Sequence, residues 1–285
     1  MALRGVKPIA IKKRLKAFIY GAAKVGKSTA AIQFPKPYWI DTESCADKKK
    51  YVEHIQKNDG LVFQTLDFDE VVKEVKDLLT TKHEFKTLII DSFTILYNDL
   101  VDKAGIKYGT DFGRHYNEAN KKVKHLLNLL LRMDMNILIT SHSKNEYGQN
   151  MSVLGQTFDC YKKLDYLFDL IIEVQKRGKE RVAIVKGTRL EGFTEDEVFP
   201  FSYDEIAQRY GHEIMEKEAV VETLASKAQV DQLKELVELY REPQETINKW
   251  FEKANCDSFD EMSEEVILKL IKFMESKSLT KGMAA

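Results

Sequence analysis

The segment GAAKVGKST, residues 21–29, places glycines, lysines and hydroxyl residues at a spacing that can bind phosphate groups. It fits the pattern G-x-x-x-x-G-K-[ST] without a mismatch. Glycines let backbone N–H groups approach phosphates, the lysine reaches the β- and γ-phosphates, and the hydroxyl binds Mg²⁺. The segment predicts an ATP or GTP site, a chance glycine-rich turn being the alternative. The predicted phosphate-binding residues are Gly21, Ala22, Ala23, Lys24, Val25, Gly26, Lys27, Ser28 and Thr29.

Two carboxylates follow short apolar runs and could complete such a site. Asp91 ends the run TLIID, and ligands collect at the carboxyl ends of strands in open α/β sheets. We therefore predict that Asp91 and Ser28 hold the metal ion, a solvated turn or helix cap being the other role for Asp91. Glu43 closely follows the run YWID, so it should reach the same edge and could orient or deprotonate the attacking water.

Short apolar runs alternate with helical patterns over the first two thirds of the chain. Strands are predicted at 17–20, 38–41, 61–66, 87–91, 136–140, 167–174 and 181–185. Helices are predicted at 27–33, 68–80 and 117–133, the first of which would direct its positive dipole end at the phosphates. Continuous apolar strands that alternate with helices predict an α/β fold with a mostly parallel, doubly wound sheet.

The pattern changes after about residue 204. No strand-like run follows, and helical patterns occupy 225–240, 243–254 and 263–276. We predict a core at 1–211 with a basic N-terminal arm at 1–16, a small all-helical C-terminal module at 222–278, and a flexible tail at 279–285.

Composition narrows the class of protein. The 285 residues carry a net charge of −1, which argues against a chain that is polybasic throughout. The cysteines, Cys45, Cys160 and Cys256, are far apart, which argues against a disulfide framework and a zinc site. No apolar run approaches the roughly 18 residues of a membrane helix. A cytoplasmic protein without a membrane segment is predicted.

Three segments resemble the RecA-like recombinase core: IDTE at 40–43, LIIDS at 88–92 and NILITSHSK at 136–144. The resemblance covers approximately residues 10–205, and implies a RecA-like P-loop NTPase fold selective for ATP. It implies that Glu43 is the catalytic base and that Asp91 lies on the metal-binding strand. It also implies that His142 or Ser141 senses the γ-phosphate, an ordinary loop residue being the alternative for His142. Gln is the usual sensor in bacterial RecA. The chain is most similar to compact RecA-like ATPases encoded by bacteriophages, some of which act in single-strand annealing and recombination.

The resemblance also implies residues that act between subunits. The segment VAIVKGTRLEG carries Lys186 and Arg189, and the corresponding region of RecA-like assemblies supplies basic residues to a neighbour's nucleotide. We therefore predict a homo-oligomer in which these two cations contact the γ-phosphate of the adjacent subunit. Ordinary surface cations on a hairpin are the alternative.

Two glycine-containing segments, 104–116 and 143–158, mix aromatic residues with basic or amide groups. Single-stranded nucleic acids use this combination for stacking and backbone contact. In RecA-like folds, loops near these positions line DNA, although two flexible surface loops would look the same. The predicted DNA-binding residues are Lys107, Tyr108, Arg114, Lys144 and Tyr147. The arm adds Lys7, Lys12, Lys13, Arg14 and Lys16, which either bind nucleic acid or form a solvated lead-in.

Together these features predict a Mg²⁺-dependent, DNA-stimulated ATPase that acts on single-stranded DNA in phage-type recombination or annealing. Its partners would include a single-strand binding protein or another phage recombination protein. A P-loop nucleotide kinase is the catalytic alternative. A second alternative is a nucleotide-regulated replication or recombination scaffold with little catalysis.

Overall fold

The computed structural model describes residues 7, 9, 12–147 and 152–282, with the backbone alone at 147, 154 and 277–282. Within them lie nine strands: β1 (Lys16–Gly21), β2 (Pro37–Asp41), β3 (Leu61–Gln64), β4 (Thr87–Asp91), β5 (Asn136–Tyr147), β6 (Val153–Phe158), β7 (Leu170–Arg177), β8 (Glu180–Thr188) and β9 (Val198–Pro200). The same residues form α1 (Lys27–Ala31), α2 (Lys49–Lys57), α3 (Phe68–Thr80), α4 (Phe93–Tyr108), α5 (Arg114–Arg132), α6 (Tyr203–Tyr210), α7 (His212–Met215), α8 (Lys227–Leu239), α9 (Gln244–Ala254) and α10 (Glu264–Gly282).

The described strands form one mostly parallel sheet. Its order is β3-β2-β4-β5-β1-β7-β8-β9, and β6 pairs with the distal half of β5. In this spatial order, each neighbouring pair from β3 to β7 is parallel. β6 pairs antiparallel with β5, β8 with β7, and β9 with β8. The carboxyl ends of β1, β2, β4 and the first half of β5 therefore meet at one edge of the sheet, where ligands of α/β proteins bind.

Burial explains why these runs become central strands. Every residue of β1, β2 and β4 is buried, as expected for strands covered on both faces. Phe18, Trp39 and Ile89 are fully buried. β3, at the end of the sheet, is only partly buried.

The chain divides into two compact units. The first comprises Met1–Gln64, Glu84–Thr94 and Asp134–Ala219, and so contains the sheet with α1, α2, α6 and α7. The second comprises Thr65–His83, Ile95–Met133 and Val220–Ala285, and so contains α3, most of α4, α5 and the three C-terminal helices. The predicted division at about residue 211 stays a prediction.

The second unit is held together by apolar packing and by ion pairs. Apolar residues of α8, α9 and α10, among them Leu233, Ile247 and Ile271, form a buried cluster. Arg132 of α5 pairs with Glu222, and Lys76 of α3 lies 2.6 Å from Glu261. These contacts join helices from the middle of the chain to the C-terminal helices.

The predicted fold class is confirmed: an α/β fold with a mostly parallel sheet and an all-helical C-terminal region. The predicted bounds of α3 are those observed, while α1 ends at Ala31, two residues early. β6, β9, α2, α4, α6 and α7 were not predicted. α10 continues to Gly282, past the predicted start of the tail at 279, and residues 283–285 lie outside the described residues.

Two basic residues of the predicted N-terminal arm, Arg14 and Lys16, are buried, contrary to prediction. Arg14 is 3% exposed, and its guanidinium donates to Asp134 and to the carbonyls of Ile214 and Met215. Lys16 is also buried, with Nζ 3.0 Å from the Met135 carbonyl oxygen. Both cations are therefore structural groups of the first unit and are not free to bind nucleic acid. Residues 1–6, 8, 10 and 11 of the predicted arm lie outside the described residues.

The three cysteines are buried and unbridged. In the part of the chain that the structure describes, no group of His, Cys, Asp and Glu residues is arranged to hold a metal ion by itself. Nor does any helix there have the length and apolar character needed to cross a membrane. The cytoplasmic location stays a prediction.

Candidate nucleotide-binding site

The phosphate-binding segment forms a tight loop between β1 and α1. Gly26 has a φ of 104° and Lys24 has a φ of 63°, so the loop passes through the left-handed region. A Cβ added at Gly21 would lie 2.4 Å from the Val174 carbonyl oxygen, so β7 leaves no space for a side chain there. Both glycines of the motif are therefore required by the backbone itself.

The Lys27 side chain is folded back into this loop. It is 7% exposed, and Nζ donates to the carbonyl oxygens of Gly21 at 2.8 Å and Ala22 at 2.9 Å. Burial lowers the pKa of the Lys27 ammonium, and the nearby carboxylates of Asp91 and Glu43 act in the opposite direction. The amine is thus held where an anion seated on the loop could accept its hydrogen bonds.

The helix after the loop is shorter than predicted. α1 contains five residues, and the chain leaves it through hydrogen bonds from the backbone N–H of Gln33 and Phe34 to carbonyls three residues earlier. Because a macrodipole is the sum of aligned peptide units, so short a helix contributes little to it. The loop N–H groups and the surrounding cations must supply most of the attraction for an anion.

Asp91 lies at the end of β4 and is 3% exposed. Burial raises the pKa of this carboxyl, and the Ser28 and Thr140 hydroxyls act against the rise. A buried carboxylate is costly unless it is paired or binds a cation. Ser28 and Asp91 also line the same cleft, so the two predicted metal-binding residues lie together.

Glu43 follows β2 and faces His142 of β5. Glu43 Oε1 lies 2.8 Å from His142 Nε2, and this hydrogen bond lowers the pKa of the carboxyl. The Thr94 hydroxyl accepts a hydrogen bond from the His142 backbone N–H at 2.8 Å and bonds the Ser141 hydroxyl at 2.9 Å. The side chain that faces Glu43 is therefore His142, while Ser141 is turned to Thr94.

The carboxylate of Asp41 shapes the turn that carries Glu43. It is 1% exposed and accepts hydrogen bonds from the backbone N–H groups of Glu43 at 3.0 Å, Cys45 at 2.7 Å and Ala46 at 2.8 Å. Thr42 then joins this turn to the end of β4, because its hydroxyl both donates to the Ser92 carbonyl oxygen and accepts from the Ser92 N–H, each at 2.9 Å. Asp41 was not predicted to have a role.

Replacing Asp41 with Asn should loosen this turn. The substitution puts an NH₂ group where an oxygen accepts N–H donors, so we expect the free energy of unfolding to fall by about 1.5–3 kcal/mol. ATP turnover should fall by about tenfold, because Glu43 would be less well placed. Urea denaturation and steady-state kinetics measure the two effects. Asp47→Asn, an exposed change in the same loop, is the control, and equal behaviour of the two variants would contradict this role.

Replacing His142 with Ala should raise the pKa of Glu43. A donor to a carboxylate favours the ionised form, so its removal shifts the protonation of Glu43 to higher pH. The shift is measured by titrating the carboxyl carbon of Glu43 by NMR, with Glu43→Gln to assign the signal. His54→Ala is the control, and an unchanged titration in the His142 variant would show that the contact does not exist in solution.

Residues of the phosphate-binding loop, together with Glu43, Asp91 and His142, line one cleft of about 350 Å³ at the carboxyl edge of the sheet. The lining residues are Ala23, Lys24, Gly26, Lys27, Ser28, Thr29, Glu43, Cys45, Lys48, Lys50, Tyr51, Asp91, His142 and Arg181. Lys50 donates to the Thr29 hydroxyl at 3.2 Å. Burial, with Asp41 nearby, raises the pKa of the Cys45 thiol to about 12, so this thiol stays protonated.

Comparison with known proteins gives the family. A model of the AAA domain matches residues 13–197. The chain belongs to this AAA domain family. Because this AAA domain contains the complete phosphate-binding motif in a strand–loop–helix context, it is a P-loop nucleotide-binding domain.

Among the solved structures that are similar to the chain are two at low identity, and no protein with curated function matches the chain significantly. One is a crystal structure of the RadB recombinase, with a TM-score of 0.45, 18% identity, and coverage of 67% of this chain and 88% of that one. The other is a DnaB-like replicative helicase, described with its interactions with primase, with a TM-score of 0.37, 9% identity, and coverage of 62% and 53%.

The residues of the AAA domain fit a magnesium–nucleotide complex. The loop offers backbone N–H groups next to Gly26, where no Cβ stands, and the lining cations Lys24, Lys27, Lys48 and Lys50 suit a polyphosphate. A hydroxyl and a buried carboxylate are oxygen ligands of the kind that Mg²⁺ prefers. The site would therefore place the metal at Ser28 and Asp91.

Neither Lys186 nor Arg189 is among the described residues that line the cleft, although Lys186 lines a second pocket with Ala22 and Val25 of the loop. β8 runs antiparallel to β7, so its carboxyl end lies level with the start of β7 and not with the phosphate loop. Lys186 Nζ is 4.0 Å from Glu173 and 3.6 Å from Asp196, and Arg189 donates to the Tyr166 carbonyl oxygen at 2.7 Å. Their role in a neighbouring subunit stays a prediction.

Most of the described residues in the two predicted DNA-binding segments lie in helices or strands. Residues 104–116 are the end of α4, a 3₁₀ turn at Asp111–Gly113 and the start of α5, so Lys107, Tyr108 and Arg114 are at or near helix ends. Residues 143–158 form the β5–β6 hairpin, apart from 148–151, which lie outside the described residues. Lys144 pairs with Asp159 at 3.0 Å, and Tyr147 ends β5.

Proposed function

We propose that this AAA domain protein binds ATP with Mg²⁺, hydrolyses it slowly, and uses the cycle to act on single-stranded DNA in recombination or strand annealing of the phage type. The observation that carries the proposal is the convergence of Lys27, Glu43 and Asp91 on one cleft beside the phosphate loop. The chain order of these groups along β1, β2 and β4 is also the order that the RecA-like resemblance implies.

Each group has a distinct task in hydrolysis. Lys27 would exchange its bonds to two loop carbonyls for bonds to the terminal phosphates. Glu43, kept ionised by His142, would orient the attacking water and accept its proton. When bound at Ser28 and Asp91, Mg²⁺ would neutralise charge on the phosphates.

His142 would couple the nucleotide to the β5–β6 hairpin. Its ring contacts Glu43, and its carbonyl oxygen accepts a hydrogen bond from the Asp159 N–H at 2.8 Å, just after β6. A change in the ring's partner when nucleotide binds would therefore reach the hairpin that carries Lys144. This route would let the cleft control binding of DNA.

Exposed aromatic and basic residues around 106–116 support binding of single-stranded DNA. Phe112 is 99% exposed, Tyr108 and Tyr116 are about half exposed, and the Lys107 ammonium lies 5.2 Å from the Tyr108 ring centroid. Rings of this kind stack on bases of any sequence, and the cations contact phosphates. Arg114, at the start of α5, would add a further phosphate contact.

We also propose that the protein works as a homo-oligomer, with Lys186 and Arg189 reaching a neighbour's nucleotide. In the single chain both cations face acidic residues, so a neighbour's phosphates would have to replace these partners. A single-strand binding protein or another phage recombination protein would be a working partner of the complex.

Phosphate release with and without a poly-dT oligonucleotide tests the proposal, together with sizing of the same samples. We expect slow release of phosphate from ATP, at least several-fold stimulation by DNA, and binding of a fluorescent oligonucleotide. Transfer of phosphate to a nucleotide acceptor, seen as new diphosphate, would instead indicate a kinase. ATP binding without turnover, with or without DNA, would instead indicate a scaffold.

A further inference from the structure

Arg181 reaches the phosphate loop from a strand that the motif does not include. β8 runs antiparallel to β7, which is parallel to β1, so the first residues of β8 lie at the edge where β1 enters the loop. Arg181 is the second residue of β8, opposite Lys176 of β7. Its carbonyl oxygen accepts a hydrogen bond from the Phe201 N–H at 2.9 Å, which fixes its backbone.

The Arg181 side chain lies directly on Gly26. A Cβ built on Gly26 would be 2.2 Å from Arg181 Nε and 2.4 Å from Cδ, so the arginine occupies the space that any side chain at residue 26 would need. Arg181 also lines the cleft together with Lys27, Ser28 and Asp91. The exposed Arg181 side chain thus lies against the loop of its own chain.

No acidic partner accounts for this placement. Within 7, 9, 12–147 and 152–282, the guanidinium of Arg181 forms no hydrogen bond or ion pair, whereas Arg209 in the same unit pairs with Glu197 and Glu205. Lys24, Lys48 and Lys50 line the same cleft, so the charge around Arg181 is mostly positive. The lining carries five cations, Lys24, Lys27, Lys48, Lys50 and Arg181, against the two carboxylates of Glu43 and Asp91. Such an excess of positive charge favours an anionic ligand.

We propose that Arg181 binds the polyphosphate of the nucleotide held by its own chain, and this inference rests on the proposed function. The planar guanidinium presents paired N–H donors that match phosphate oxygens, which a lysine cannot do. Arg181 would be a phosphate-binding residue in cis, distinct from Lys186 and Arg189, whose proposed target is a neighbouring subunit. One subunit would then bind nucleotide tightly before assembly.

Charge-matched variants on one hairpin test this assignment. Arg181→Gln is compared with Arg177→Gln, which removes the same charge from an exposed position that does not line the cleft. A fluorescent ATP analogue gives the Kd for the nucleotide, and inorganic tripolyphosphate, which has no base or ribose, is used as the competitor. Dilute protein, checked by sizing, keeps the measurement on single subunits.

We expect Arg181→Gln to weaken the binding of both ATP and tripolyphosphate by about 10- to 100-fold, which is the effect of losing a charged hydrogen-bond donor to phosphate. Arg177→Gln should change either Kd by no more than about twofold. Arg181→Lys should recover part of the loss.

Equal affinities of the Arg181→Gln and Arg177→Gln variants would overturn the proposal. So would a loss confined to ATP with tripolyphosphate unaffected, because the arginine would then contact the base or ribose. If the wild-type protein bound neither ligand, the proposed function itself would fail, and the inference with it.

Discussion

Replacing Glu43 with Gln is expected to reduce ATP turnover by about 10²- to 10⁴-fold, the usual contribution of a general base. The amide keeps the size of the side chain and a hydrogen bond to His142, but it cannot accept a proton from water. Asp41 and Thr42 hold the backbone of this turn independently of the Glu43 side chain, so the cleft should keep its shape. ATP affinity should stay within about threefold of the wild-type value.

The control for this variant is Glu53→Gln, which removes a carboxylate from an exposed position on α2. It should leave both turnover and ATP affinity unchanged. Single-turnover kinetics separate the chemical step from product release. Turnover that survives in the Glu43 variant, with normal ATP affinity, would remove Glu43 from the role of base.

Replacing Lys27 with Ala is expected to weaken ATP binding by about 30- to 5,000-fold, because loss of one partner of a buried charged pair costs about 2–5 kcal/mol. The amine is the only side chain that donates to the Gly21 and Ala22 carbonyl oxygens among the residues that the structure describes. The loop therefore loses both its contact with phosphate and an internal brace. Calorimetric titration with ATP measures the effect.

Lys49→Ala is the matched control for Lys27, since Lys49 is an exposed lysine at the start of α2 that does not line the cleft. Circular dichroism on both variants separates loss of binding from loss of fold. If the Lys27 variant folded and bound ATP as the wild type does, the loop would not be the phosphate site.

The sheet could be predicted from sequence because its central strands are continuous apolar runs. β1, β2 and β4 are buried along their whole length, so their sequences carry no competing polar pattern. β6 could not be found in this way, because its sequence, VLGQTF, is mixed and becomes a strand only by pairing with the distal half of β5.

α2 and α4 were missed for different reasons. α2 begins with lysines and has no acidic residue in its first turn, which is unfavourable for a helix dipole and gives no start signal. Near the end of α4, a glycine within AGIKYGTDFG reads as a loop, although the helix continues through Gly105 to Tyr108. Packing decides both segments more than local preference does.

The motif residues of the cleft could be predicted from the sequence, because their spacing along the chain is fixed. Lys50 and Tyr51 enter the cleft from the unpredicted helix α2, and Lys48 directly precedes this helix. Only the lysine run itself could have pointed to them. Arg181 was missed because the sequence of β8 does not show whether the strand runs parallel or antiparallel to its neighbour. If β8 were parallel to β7, its carboxyl end, with Lys186 and Arg189, would lie at the loop. Since β8 is antiparallel, its amino end lies there instead.

The structure of the protein with Mg²⁺ and a non-hydrolysable ATP analogue, solved by crystallography, tests the central claim most directly. We expect the triphosphate on Gly21–Ser28, the metal beside Ser28 and Asp91, and the Glu43 carboxylate facing a water in line with the γ-phosphate. A nucleotide bound elsewhere, or a Glu43 or Asp91 side chain turned away from the terminal phosphate, would contradict it.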